Sequence, residues 1–191
     1  MKAYSGIAAL TATSCLLIFT FVTCSPKCVV RGRVVDAETR QPVTGAAVAV
    51  KWYTDASALE SAETVAAIQS LSDERGVFKI PEYPDKKYIL GVYKNGYICW
   101  SSRDVFSNQE AAATRKNNKQ VKDSQIRDGM EIQLEPFKKE HSRPLHAGFA
   151  VMVAGESTNH PDGPFHQAIA SEFQLWRENL RQDFQKQLGI K

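Results

Sequence analysis

The sequence predicts an all-β protein, a seven-stranded antiparallel β-sandwich followed by a C-terminal amphipathic α-helix. Several segments alternate apolar and polar side chains with a period of two residues, which is typical of strands with one buried face. Turn residues separate these segments, and no rhythm of alternating strands and helices indicates βαβ units. One long segment near the C-terminus shows three- and four-residue apolar spacing instead, which predicts a helix.

The predicted strands are defined by this two-residue alternation. In the first, Val30, Gly32 and Val34 share one face, and Arg31 and Arg33 share the other. The other strands are expected at residues 48–53, 64–69, 77–80, 87–94, 97–100 and 130–134. Their apolar faces together would bury the core of a two-layer sandwich.

Two tight turns are expected between strands. The segment Asp73-Glu-Arg-Gly76 precedes the fourth strand, and Asn95-Gly96 follows the fifth. Glycine adopts a positive φ without steric cost, and Asn-Gly is a strong hairpin signal. We therefore predict reversals of the chain at both places.

Residues 138–191 are interpreted as a linker and a helical extension. An apolar run at residues 145–154 fits more than one type of secondary structure. A helix is predicted from Phe165 to Leu188, with a start signal at Pro164 and a stop at Gly189. Its apolar stripe contains the candidate partner-binding residues, which are Phe173, Trp176, Leu180 and Phe184. The alternative is that the stripe packs on an open face of the sandwich.

The N-terminus predicts export. Lys2 is followed by an uncharged stretch, residues 7–23, whose strongly apolar part is shorter than the roughly 20 residues that span a bilayer. We interpret residues 1–23 as a cleaved signal peptide. The stretch ends in Phe21-Val-Thr-Cys24, which resembles the lipobox at which bacterial lipoproteins are cut and diacylated, although Phe21 and Thr23 depart from its usual residues.

This resemblance implies lipidation of Cys24, with residues 24–27 as the tether. Ordinary cleavage nearby is the alternative. A diacylglycerol together with an amide-linked acyl chain anchors a protein stably. The expected location is therefore the membrane, with the outer membrane favoured and the protein facing the periplasm.

Two cysteines remain after export and acylation, Cys28 and Cys99. In an oxidising compartment they are a disulfide candidate. The alternative is that they are two separate buried thiols. A disulfide can form only if the strands that carry them lie side by side. The sequence leaves both readings open.

Composition and motifs indicate neither nucleic-acid binding nor catalysis. Lys and Arg total 24 against 21 Asp and Glu, and removal of Lys2 leaves 23 − 21 = +2, whereas a nucleic-acid binder should carry a concentrated basic face. The four histidines, at positions 141, 146, 160 and 166, do not form a zinc-binding motif. Ser157, His160 and Asp162 share one short loop and lack the scaffold of a triad. Asp73 and Glu74 are interpreted as a solvated turn. We expect no catalytic residues, metal or cofactor.

Five segments resemble a known family. They are Gly32-Arg-Val-Val-Asp36, Thr39-Arg-Gln-Pro-Val43, Gly45-Ala-Ala-Val-Ala-Val50, Ser72-Asp-Glu-Arg-Gly-Val-Phe78 and Val92-Tyr-Lys-Asn-Gly-Tyr97. Their order and spacing are similar to the carboxypeptidase regulatory-like domain, a transthyretin-like (prealbumin-like) module found beside metallocarboxypeptidases and on bacterial envelope proteins. The resemblance covers residues 28–137 and implies a sandwich without a zinc site. Arg40 stands where the family usually has glycine, which predicts a looser or strained turn.

Three functions are compatible with these features. The first is a non-catalytic envelope lipoprotein whose sandwich is a binding or structural module for a protein or glycan. The second is an assembly protein that docks through the C-terminal helix. The third, which has the least support, is a hydrolase with an unrecognised site.

Overall fold

The protein folds into two β-sheets and a layer of helices. The computed structural model describes residues 29–54, 63–81, 86–108 and 126–189, so the predictions for the signal peptide, Cys24 and Cys28 lie outside the described residues. The strands are β1 (Val29–Asp36), β2 (Ala47–Tyr53), β3 (Thr64–Leu71), β4 (Val77–Pro81), β5 (Lys87–Tyr93), β6 (Trp100–Ser101) and β7 (Met130–Leu134). The helices are α1 (Arg143–Ser157), α2 (Pro164–Ala168) and α3 (Ala170–Gln187).

The seven described strands form a sandwich of two sheets, as predicted. One sheet has the order β4-β1-β7, and the other has the order β3-β2-β5-β6. The prediction of a purely antiparallel sandwich is wrong, because β7 runs parallel to β1, from Gly32 opposite Met130 to Asp36 opposite Leu134. β6 and β7 belong to different sheets and do not pair with each other. Alternation specifies a strand's buried face but not its direction.

The core between the sheets is built from the predicted faces. Val30 and Val34 of β1 point inward, as do Ile132 and Leu134 of β7. The ring of Phe78 on β4 lies over Gly32, where an added Cβ would come within 2.1 Å of its Cζ atom. Any larger residue at position 32 would therefore collide with this ring.

The four-stranded sheet is buried on its second face as well, beneath the helices. The apolar run at residues 145–154 belongs to α1, which packs against β2 and β5. Small residues make room for it, because Ala47, Ala49 and Gly91 face this layer. A Cβ at Gly91 would lie 2.7 Å from Cγ1 of Val153 on α1. The molecule thus has a second apolar core, between sheet and helices. The alternative given for the helical stripe, that it packs on an open face of the sandwich, is confirmed for Phe165 and Ile169, which are buried in this core.

The turn predictions are confirmed, and one strand prediction is corrected. Gly76 and Gly96 have φ values of 74° and 87°. The strand expected at residues 97–100 does not continue the hairpin with β5, since only Trp100 and Ser101 pair with that strand. Tyr97 instead bridges to Pro136, next to the end of β7. The chain therefore crosses between the two sheets directly after the Asn95-Gly96 turn.

The turn that contains Arg40 is strained, as the substitution for glycine predicts. Arg40 has a φ of 61°, which is uncommon for a residue with a side chain. Asp36 holds this turn by accepting hydrogen bonds from the backbone N–H groups of Glu38 at 2.8 Å and Thr39 at 2.7 Å. The hydroxyl of Tyr97 donates to its second oxygen at 3.0 Å. These bonds lower the pKa of Asp36, the Thr39 N–H contributing most.

The predicted C-terminal helix is present, but it is divided. Pro164 begins α2, Ile169 interrupts the helical geometry with φ −91° and ψ 7°, and α3 follows. Gly189 ends the helical segment with a φ of 66°, as predicted. Gln69 of β3 joins this region to the sheet, because its Oε1 accepts the N–H of Phe165 at 2.8 Å. That N–H belongs to the first turn of α2 and has no partner within the helix.

The close approach at Gly91 predicts a specific cost of substitution. Gly91→Val should destabilise the protein by about 1–3 kcal/mol or more, because its side chain would displace α1 from the sheet. Gly155→Ala is the matched control, since no heavy atom lies within 4 Å of a Cβ at that position of α1. Urea denaturation of both variants measures the difference, and equal stability of the two would contradict the packing described.

Candidate functional site

A buried polar cluster lies where α1 and α3 meet β5. The hydroxyl of Tyr93 donates to Oε1 of Glu172 at 2.8 Å, and Nη2 of Arg143 contacts the same oxygen at 2.8 Å. Tyr93, His146 and Glu172 are all at most 1% exposed. Arg143 reaches them from a partly exposed position over the ring of Phe137. The cluster therefore joins one strand and two helices through a single carboxylate.

His146 belongs to this cluster as a neutral side chain. Its Nε2 accepts the backbone N–H of Cys99 at 2.9 Å, an arrangement that assigns the proton to Nδ1. Nδ1 lies 3.9 Å from Oε1 of Glu172, which is too far for a hydrogen bond. Burial lowers the pKa of His146 to about 4, with smaller contributions from Arg143 and His141. At neutral pH the imidazole carries no charge.

The contacts of the cluster hold neighbouring elements of the fold together. Burial raises the pKa of the Cys99 thiol, and the Glu172 carboxylate adds to this effect, so the reactive thiolate is disfavoured. Burial also raises the pKa of the Tyr93 hydroxyl, again with Glu172 contributing. Each group is thereby held in its neutral form next to one paired carboxylate.

Cys99 lies in the second core, beneath the helices. Within the described part of the chain it has no disulfide partner. Cys28 lies outside that part, so the pairing of the two residues stays a prediction.

Ser157 is the last residue of α1 and does not lie in the loop predicted for it, whereas His160 lies in a loop and Asp73 in a turn. Oγ of Ser157 donates to the carbonyl oxygen of Val153 at 2.7 Å within α1, whereas His160 is exposed. Asp73 accepts the N–H groups of Arg75 at 2.9 Å and Val77 at 2.8 Å, which lowers its pKa, the bond from Val77 contributing most. Across residues 29–54, 63–81, 86–108 and 126–189, no three His, Cys, Asp or Glu side chains form a group that could hold a metal ion.

A cleft opens between β7 and the segment that carries β6. Its volume is about 320 Å³, which is within the size range of small-ligand sites. The apolar side chains of Trp100 and Phe106 line it together with the carboxylates of Asp104 and Glu135 and the guanidinium of Arg127. This mixture suits a small polar ligand or a peptide segment.

The apolar stripe of the C-terminal helices divides into a packed and an exposed part. Phe165 and Ile169 are buried in the second core, and Trp176 is half-buried against α1 near Gly148. The exposed part consists of Phe173 at 41%, Leu180 at 49%, Phe184 at 62% and Leu188 at 57%. Of the four candidate partner-binding residues, Trp176 is half-buried and Phe173 contacts it, whereas Leu180 and Phe184 are more exposed.

Sequence reasoning did not identify the buried cluster, although one signal is present. Glu172 lies three residues after Ile169 and four before Trp176, within the stripe that is otherwise apolar. A carboxylate at such a helical position is rarely buried unless it is paired. It therefore indicates an ion pair or a hydrogen-bond network beneath the helix.

Among the described helices, none combines the length and the apolar character required to cross a bilayer.

Comparison with known proteins shows similarity to solved structures alone. No family model matches the sequence, and no curated protein matches it. A streptococcal ancillary pilin is 13% identical, with a TM-score of 0.30, over 58% of this chain and 30% of its own. The C-terminal domain of the shaft pilin SpaA from Lactobacillus rhamnosus GG is 17% identical, with a TM-score of 0.30, over 57% of this chain and 97% of its own.

An intradiol ring-cleavage dioxygenase from Tetranychus urticae is also similar, at 15% identity and a TM-score of 0.32, over 60% of this chain and 82% of its own. Of the streptococcal pilin, by contrast, this chain spans only 30% of the length. The strand order and the layers of the chain itself define its fold.

The lowered pKa of His146 predicts a loss of stability in acid. Above pH 6.5 the imidazole is neutral in both folded and unfolded states and contributes nothing to the pH dependence. Between pH 6.5 and about 4 only the unfolded state takes up the proton, so the free energy of unfolding should fall by up to about 1.4 kcal/mol per pH unit from this group.

Urea denaturation between pH 7 and pH 4 measures this dependence. His146→Gln should remove that part of the slope, and His160→Gln, at an exposed loop position, should leave it intact. Equal slopes for the two variants would contradict the assignment.

Proposed function

We propose that this protein is a non-catalytic, lipid-anchored module of the bacterial envelope that binds a protein partner through the exposed part of α3. Its scaffold is the sandwich, which we propose is a carboxypeptidase regulatory-like domain on the basis of its sequence motifs. One observation carries the proposal, which is the row of exposed apolar side chains at Leu180, Phe184 and Leu188. They follow one another at intervals of four residues and therefore lie along one face of the helix.

The start of α3 is held in a fixed orientation. Glu172, in its first turn, is bound to Tyr93 on β5 and to Arg143 on α1. Trp176 packs near Gly148 of α1, and the ring of Phe173 contacts it at a tilt of 47° with centroids 5.6 Å apart. A helix that is fixed at its start and apolar along its exposed face suits recognition by a partner's groove, because little conformational freedom is lost on binding.

The state of the titratable groups supports a non-catalytic role. A general base must change protonation near the working pH, and a cysteine nucleophile must become a thiolate. Burial lowers the pKa of His146 to about 4, well below neutral pH, and raises the pKa of the Cys99 thiol. Neither group therefore meets its requirement. The groups that resemble catalytic residues by type are thus engaged in holding the fold together.

Anchoring is supported by the short distance along the chain from Cys24 to the fold. Val29, where β1 begins, is five positions after Cys24, so an extended tether would span at most about 18 Å. A lipid on Cys24 would hold the sandwich at the membrane surface.

Mass spectrometry of the mature protein tests the anchor. We expect an N-terminus at Cys24 that carries a diacylglycerol and an amide-linked acyl chain. A mature N-terminus at another residue, or an unmodified cysteine, would rule out the lipoprotein part of the proposal.

Substitutions in the exposed stripe test the partner-binding part. Leu180→Glu combined with Phe184→Glu should leave the stability of the fold almost unchanged, because both side chains are exposed, and should abolish co-purification of the partner from detergent-solubilised envelopes. Gln182→Glu combined with Gln185→Glu is the matched control. It adds the same charge on the polar side of α3 and should retain the partner. Retention by the stripe variant would contradict the proposal.

A further inference from the structure

The outer face of the three-stranded sheet carries a cluster of cations, which we term the cationic face. It consists of Arg31 and Arg33 on β1, Lys79 on β4 and Arg75 in the turn before β4, and all four residues are exposed. Arg31 and Lys79 are directly opposite each other in the antiparallel pairing of the two strands. Nε of Arg33 donates to the carbonyl oxygen of Arg75 at 3.2 Å, which brings Arg33 and Arg75 together.

Carboxylates border this face, but among the described residues they leave most of its cations without an ion pair. Oδ1 of Asp128 accepts the backbone N–H of Arg31 at 2.9 Å, and Glu131 is opposite Arg33 in the pairing of β1 with β7. Glu131, on the neighbouring strand β7, is paired with Arg40. Asp73 and Glu74 border the hollow between the cations, but Oδ1 of Asp73 already accepts two backbone N–H groups, and its Oδ2 lies 3.8 Å from Arg75.

No ion pair involves Arg31, Arg33 or Lys79 within the part of the chain that the structure describes. Like charges directly opposite each other destabilise a pair of strands. Arg31 and Lys79 therefore repel each other. The neighbouring carboxylates reduce this repulsion, and a bound anion would relieve it further.

We propose that the cationic face docks on the anionic lipid headgroups of the membrane that holds the protein. This inference rests on the proposed function, because it uses the anchor at Cys24. Arg31 is seven residues from that anchor and Arg33 is nine, so the tether keeps both within reach of the lipid surface. Clustered cations next to an anchor are attracted by anionic headgroups over distances of about one Debye length, roughly 8 Å at physiological salt.

The arrangement of the layers is compatible with docking through the cationic face. The helices cover the outer face of the four-stranded sheet, and the cationic face is on the outer side of the other sheet. Docking of the cationic face would therefore leave the helical layer on the side of the sandwich away from the lipid. The exposed stripe of α3 would remain accessible to a partner while the protein lies on the membrane.

Lysine footprinting of the full-length, exported protein tests the inference. The protein is purified in detergent and reconstituted into vesicles of phosphatidylcholine, with or without phosphatidylglycerol. It is then acetylated briefly and analysed by mass spectrometry. Acetylation of Lys79 should fall several-fold in the anionic vesicles and recover at about 0.5 M NaCl, where the Debye length is only about 4 Å. The exposed Lys139 and Lys186 serve as internal references and should not change.

Two variants show whether the cluster acts together. Arg31→Gln with Arg33→Gln should restore acetylation of Lys79 in anionic vesicles, whereas Arg177→Gln with Arg181→Gln, which removes the same charge from α3, should leave Lys79 protected.

Equal labelling of Lys79 in both kinds of vesicle would overturn the inference. Protection by soluble polyphosphate in neutral vesicles, without protection by anionic vesicles, would overturn it too. The mass of the N-terminus in the same samples reports on the anchor separately, so failure of the anchor and failure of the cationic face are distinguishable.

Discussion

The close approach of a helix to the four-stranded sheet is the constraint on which the rest of the structure depends. It requires small residues on the outer face of β2 and β5, and Ala47, Ala49 and Gly91 provide them. Because this face is covered, both strands are buried on both sides, which is unusual for a sandwich whose sheets each have one solvated face. The helices thus contribute to the folded core, and the sheet supplies the surface that orients them.

The buried carboxylate of Glu172 converts this packing into a defined orientation for α3. An unpaired charge in such a place would be strongly destabilising, but Arg143 and Tyr93 both contact Oε1 of Glu172. These contacts come from two other elements, so any rotation of α3 would break at least one of them. The exposed apolar residues further along the helix are consequently presented in one direction.

The sequence predicts the parts of this fold that depend on local periodicity. Alternation at Val30, Gly32 and Val34 assigns the buried face of β1, and the glycine turns follow from backbone freedom. The direction of a strand cannot be predicted from periodicity, because β7 has the same alternation whether it runs parallel or antiparallel to β1. The helical layer does not follow either, since a short apolar run such as residues 145–154 fits a buried helix and a buried strand equally. The cationic face depends on the pairing of Arg31 with Lys79, which are 48 positions apart and meet only through the strand register.

The central claim is that the helical layer and the sandwich are one cooperative unit. Native-state hydrogen exchange measures this directly, because amides that open only by global unfolding share one free energy of exchange. We predict that the central amides of α1 exchange with the same free energy as those of β2 and β5, whereas residues 181–187 of α3 exchange much faster. Exchange of the α1 amides at a free energy well below that of β2 and β5 would show that the helices are an appendage, and it would contradict this account.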